Sequence, residues 1–99
     1  MKRDIKILCV CRSGRTRSVL AKTELNRRGY LDVIAVGGLK LPPRTLNMLC
    51  DWAEVILLAK PRHGKYIDLK YKEKIVTEFY IGDDLEGMIK KQLNKIGLI

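Results

Sequence analysis

Short apolar runs alternate with amphipathic segments along the whole chain. Ile5-Lys6-Ile7-Leu8-Cys9-Val10 is almost continuously apolar and short, which suits a strand buried on both faces. Residues 18–28 read as a helix: Ser18 can cap it, Ala21 and Leu25 share a face, and Gly29 stops it. Val33 to Val36 predicts a second strand, ended by Gly37-Gly38. Pro42-Pro43 breaks the chain near a helix start, and Leu46, Leu49, Cys50 and Ala53 follow the i, i+3, i+4, i+7 pattern of an amphipathic helix. Val55-Ile56-Leu57-Leu58-Ala59 predicts the third buried strand. Residues 61–70 predict a short basic helix after Pro61, and Ile75 to Ile81 a fourth strand. Leu85, Met88, Ile89, Leu93 and Ile96 mark a final helix closed by Gly97.

The order is β-α-β-α-β-α-β-α. Such alternation implies an α/β fold with a parallel sheet and right-handed crossovers. We expect a single domain over residues 1–99, a three-layer sandwich whose four-stranded parallel sheet runs in the order 2-1-3-4 with helices on both faces. Ligands of such sheets bind at the carboxyl ends of the strands. Three segments are predicted there: the loops 11–17, 60–63 and 81–84.

Composition adds an electrical bias. The chain of 99 residues is 46% hydrophobic and 31% charged, ordinary for a globular domain, with a net charge of +9. Residues 1–28 carry nine Lys and Arg against Asp4 and Glu24, and residues 60–74 carry six against Asp68 and Glu73. That balance points to anionic partners, although most of these lysines read as a solvated surface. No run approaches the roughly 20 apolar residues of a membrane span, and no export signal is visible. The expected location is cytoplasmic, with no membrane association. Three cysteines, Cys9, Cys11 and Cys50, are an odd number that argues against a disulfide framework and leaves room for a reactive thiol. A single histidine, His63, and no Cys-x-x-Cys pair make a metal site unexpected. No cofactor is implied.

The most specific stretch is Cys11-Arg12-Ser13-Gly14-Arg15-Thr16-Arg17-Ser18, between the first strand and the first helix. A phosphate monoester is a dianion, and a loop curling from strand to helix can aim several backbone N–H groups at it. The helix adds the positive end of its dipole. Arg17 can offer a planar two-pronged donor to two phosphate oxygens, and Gly14 can take a positive φ without steric cost. The same field favours a thiolate at Cys11, the nucleophilic form. The Ser18 hydroxyl can donate to that thiolate and stabilise it when it leaves. Arg12, Ser13, Gly14, Arg15 and Thr16 would line the bound oxyanion. The competing reading is a buried thiol followed by surface arginines.

This loop resembles that of the low-molecular-weight protein tyrosine phosphatases, which open with a strand, then Cys-x5-Arg-Ser, then a helix. The resemblance is closest to a small, compact bacterial branch of predicted tyrosine phosphatases. There the third strand follows a Trp-Ala pair, here Trp52-Ala53. An Asp-Asp pair follows the fourth strand, here Asp83-Asp84, and a histidine stands after the third strand, here His63. Order is similar over most of the chain, whereas residue-by-residue similarity is confined to the cysteine loop. The resemblance implies a nucleophile at Cys11, phosphate binding by Arg17 and a thiolate-stabilising hydroxyl at Ser18. It implies a general acid in the late loop, with Asp83 the first choice and Asp84 the second and a neighbour of the substrate. It also leads us to expect aromatic substrate-lining residues near Leu85 and Glu86, where this chain has none.

The leading expectation is a cysteine-dependent phosphatase acting on phosphate monoesters, phosphotyrosine foremost. Its partners would be a phosphorylated protein or a small phosphate ester, with inorganic phosphate or a similar oxyanion in the loop. The alternative is a non-catalytic module that binds a phosphate, a phosphopeptide or a nucleic-acid backbone, the last permitted by charge but not favoured. Arsenate reduction ranks lower, because it needs two relay cysteines and only Cys50 lies outside the first strand and its loop. Cys9 and Cys50 read as core, His63 as a surface residue with contact to substrate at the pocket rim as the alternative, Trp52 as packing under the sheet edge, and Tyr66 and Tyr71 as parts of a half-exposed helix.

Overall fold

The computed structural model describes residues 4–13, 17–77, 85–95 and 97. Its architecture follows from two strands that are apolar at every position. All residues of β1 (Ile7–Cys11) and β3 (Val55–Leu58) are buried, so both faces of the sheet must be covered. Ile7, Cys9 and Cys11 join Val55, Leu57 and Ala59 in one apolar cluster, while Leu8 and Val10 join Ile56 and Leu58 in another. This period of two is the pleat. The first face is closed by α1 (Arg17–Arg27) and α3 (Leu85–Lys95) through Ala21, Leu25, Leu85, Ile89 and Leu93. The second is closed by α2 (Pro43–Trp52) through Leu46 and Cys50, joined by Ile67 and Tyr71. Each fully buried leucine contributes on the order of 1.5–3 kcal/mol.

With β2 (Val33–Gly37) and β4 (Ile75–Thr77), the sheet is four-stranded and parallel, in the order β2-β1-β3-β4. Ile7 pairs with both Val33 and Val55, and Ile56 with Ile75. The expected α/β sandwich and strand order are therefore observed. The radius of gyration is 12.0 Å, close to the roughly 13 Å of a compact 100-residue domain. Among the described residues no helix is long and apolar enough to cross a membrane.

Two local details differ from the sequence reading. Ser18 is the second residue of α1 rather than its cap, because its hydroxyl faces Cys11. The segment after β3 forms two 3-10 turns, Pro61–Tyr66 and Leu69–Lys74, rather than one basic helix. Ile67 between them is extended and buried, and Asp68 caps the second turn by accepting from the Lys70 amide at 3.0 Å. Burying Ile67 takes precedence over continuing a helix through Gly64. β4 is described to Thr77, and the rest of the expected strand, residues 78–81, lies outside the described residues. The helix stops hold: Gly29 and Gly97 have φ of 97° and 81°, where only glycine is unstrained.

Candidate active site

In a sheet ordered 2-1-3-4 the connections leave β1 and β3 toward opposite sides. A crevice therefore opens between the carboxyl ends of these two strands. Cys11 ends β1 at that crevice. Its backbone is pinned because Gly38 N–H donates to its carbonyl at 2.8 Å, while Ala59 N–H donates to the neighbouring Val10 carbonyl at 3.0 Å. Cys11 is buried, 4% exposed.

The Cys11 Sγ and the Ser18 Oγ lie 3.0 Å apart and are buried. A serine on the inner face of α1, next to Ala21 and Leu25, is an expensive choice unless its hydroxyl has a partner. The sulfur is that partner. When Cys11 is a thiolate the hydroxyl donates to it. Arg17, the first residue of α1, reaches across the crevice and donates from Nη1 to the Ala59 carbonyl at 3.0 Å. That bond uses one of the five guanidinium donors and ties the group to the residue that follows β3. The first turn of α1 contains no acidic residue, so its positive dipole end is not neutralised from within the helix.

The structure thus brings Cys11, Arg17 and Ser18 together, with Arg12 and Ser13 leading out of the strand. Gly14, Arg15, Thr16, Asp83 and Asp84 lie outside the described residues. Leu85 is a core residue, and Glu86 accepts a hydrogen bond from Tyr30 at 3.0 Å and pairs with Arg28 at 3.4 Å. Both are committed to packing.

The other two cysteines are core residues, as read from the sequence. Burial, reinforced by the neighbouring Cys11, pushes the Cys9 thiol up to about 12. Burial likewise pushes Cys50 up to about 11. Cys50 belongs to the cluster on the opposite face of the sheet from Cys11.

His63 corrects the sequence reading: it is buried, 5% exposed, rather than a surface residue. Its Nδ1 accepts from the Lys60 amide at 3.2 Å. Burial, then Arg62, Lys65, Arg17 and Lys60, hold its pKa below 6.5, so the ring is neutral at pH 7. Tyr71 is also buried, donating from its hydroxyl to Asp51 at 2.7 Å, and Tyr66 packs partly buried beside His63. Trp52 packs against the second core.

Sequence reasoning missed one contributor and underrated others. The Ala59 carbonyl could not be foreseen, since a backbone acceptor leaves no residue signal. Leu39, Arg62, Lys65 and Tyr66 form a cavity with Arg12 and His63 beside the cysteine loop. The rule that strand carboxyl ends carry sites pointed to this region, but the cations looked like ordinary surface.

Known proteins add no further constraint. The chain matches no family model, no curated protein and no solved structure.

Proposed function

We propose that the protein is a phosphoric monoester hydrolase that uses Cys11 as its nucleophile, with phosphotyrosine the first substrate to test. The observation that carries this reading is the buried Cys11–Ser18 pair at 3.0 Å, at the start of a helix whose first residue is an arginine spanning the crevice. A merely structural thiol has no need of a hydroxyl partner and a cation at its mouth.

In the first step the Cys11 sulfur attacks phosphorus, the bond to the leaving oxygen breaks, and Asp83 gives that oxygen its proton. Arg17 and the loop amides hold the equatorial oxygens as charge redistributes. In the second step the Asp83 carboxylate takes a proton from water, whose oxygen attacks phosphorus. The P–S bond breaks, and the Ser18 hydroxyl stabilises the departing thiolate. Asp84 is the second choice for the acid. The position of Cys50 on the far face of the sheet disfavours a disulfide relay and with it arsenate reduction.

The test is hydrolysis of para-nitrophenyl phosphate between pH 5 and 7 by the reduced protein. We expect turnover that Cys11→Ser abolishes, that Asp83→Asn lowers and that vanadate inhibits. No turnover by the reduced wild type, with phosphate shown to bind, would leave the non-catalytic phosphate-binding module in its place.

A further inference from the structure

The three loops after β1, β2 and β3 meet around a cavity of about 230 Å³ lined by Arg12, Leu39, Arg62, His63, Lys65 and Tyr66. That is far more room than the roughly 10–15 Å³ a single water needs. The cavity adjoins the cysteine loop through Arg12, the residue after the nucleophile. The Leu39 amide donates to the Arg12 carbonyl at 3.0 Å, which fastens one wall to the other. The opposite wall is aromatic: the His63 and Tyr66 rings stack with centroids 6.1 Å apart. This wall is built closely, since Gly38 leaves space for the Tyr66 ring that a Cβ there would occupy.

Charge and shape agree. Arg12, Arg62 and Lys65 all border this one cavity. Among the described residues no carboxylate lies within ion-pair distance of any of them; the ion pairs seen join Glu24 and Glu86 to Arg27 and Arg28 on the helices. Among the described residues, the charges that act on His63, those of Arg62, Lys65, Arg17 and Lys60, are all cations. Like charges gathered around a hollow repel one another, and an anion relieves that repulsion. Leu39 and Tyr66 supply apolar and ring surface for whatever links that anion to the phosphate.

We propose that this cavity binds a second anionic group on the substrate, carried by the leaving group beyond an apolar or aromatic spacer. The proposal rests on the phosphatase reading of Cys11. It makes the preferred substrate class a phosphate ester with two separated anionic groups. Its second group is either the carboxylate of an acidic side chain in a phosphopeptide or an anionic substituent of a small molecule.

The test compares kcat/KM for phenyl phosphate and 4-carboxyphenyl phosphate at an ionic strength of about 0.15 M. We expect the carboxylated ester to be preferred by about tenfold. The double variant Arg62→Ala/Lys65→Ala should bring that ratio to about one. Both residues are exposed, so the fold should tolerate the change. Lys90→Ala/Lys91→Ala removes the same charge from an exposed part of α3 and should keep the preference. A wild-type ratio near one, or equal loss in both double variants, overturns the proposal while leaving the phosphatase reading intact. If neither ester is hydrolysed, the phosphatase reading fails. Calorimetric dissociation constants for the same two esters then decide: a preference lost only with Arg62 and Lys65 upholds the cavity as an anion site, and equal affinities overturn it. Phosphotyrosine peptides flanked by Asp or by Asn separate the sources. A preference for Asp places the second anion on a polypeptide, and a preference confined to the small ester places it on a small molecule.

Discussion

Among the described residues, Ser18 and His63 are the two buried polar side chains near the crevice, and each makes a separate prediction. Ser18 is fully buried with its hydroxyl on the Cys11 sulfur. Alanine at this position keeps the helix, since it is the better helix former, and removes only the donor. Ser18→Ala should lower kcat on the order of a hundred- to a thousandfold, the scale of losing one transition-state donor, with little change in KM or in thermal midpoint. An unchanged kcat would mean that the hydroxyl only satisfies a structural thiol. His63 bears on stability. Its folded pKa lies below 6.5, so the unfolded chain binds a proton before the folded one does. Its contribution is fully present above pH 6.5 and is lost as pH falls toward the folded value. His63→Asn keeps an acceptor for the Lys60 amide but cannot titrate. Thermal midpoints from pH 7.5 to 5 should fall more steeply in the wild type than in this variant. Parallel curves would show that protonating the ring is not resisted by the fold.

At the scale of elements, the apolar pattern was strong enough to read and the polar ties were not. β1 and β3 announce themselves because Ile7 to Cys11 and Val55 to Leu58 are apolar at consecutive positions, which only a doubly covered strand tolerates. The stretch after Pro61 misled because its cations look helical, whereas its structure is decided by Ile67 and Tyr71 turning into the core four residues apart. The loop around Cys11 was legible through spacing, and the expected strand order put β3 beside β1, but the Arg17 bridge to Ala59 was not legible, because its acceptor is a backbone carbonyl that leaves no residue signal. Lys74 is a similar hidden tie. Its ammonium donates to the carbonyls of Cys50 at 2.8 Å and Ala53 at 2.7 Å, closing the carboxyl end of α2 where the dipole is negative. Lys74→Met keeps the stem and removes the charge. It should destabilise the protein by roughly 1–2 kcal/mol, seen as a lower urea midpoint at unchanged slope. No shift would show that water replaces the ammonium without loss.

For the molecule as a whole the question is how far a net charge of +9 serves the crevice. The principal extents are 33, 27 and 21 Å. At 0.01 M salt the Debye length is about 30 Å, so every lysine contributes to the field at the mouth, whereas at 0.1 M it is about 10 Å and only neighbouring cations do. Arg12, Arg17, Arg62 and Lys65 belong to that inner set, and Lys90 and Lys91 of α3 are not among the residues that line the cavity. KM for a dianionic ester should therefore rise severalfold between about 0.01 and 0.1 M salt and then flatten, with kcat nearly constant, because steering changes encounter rather than chemistry. Lys90→Ala/Lys91→Ala should reduce the slope at low salt and leave the plateau unchanged. Arg62→Ala/Lys65→Ala should raise the plateau itself. A KM that keeps climbing well above 0.1 M would mean that binding releases many counterions along an extended contact, as a nucleic-acid backbone does. That outcome would move the basic surface away from the crevice and toward a polyanionic partner.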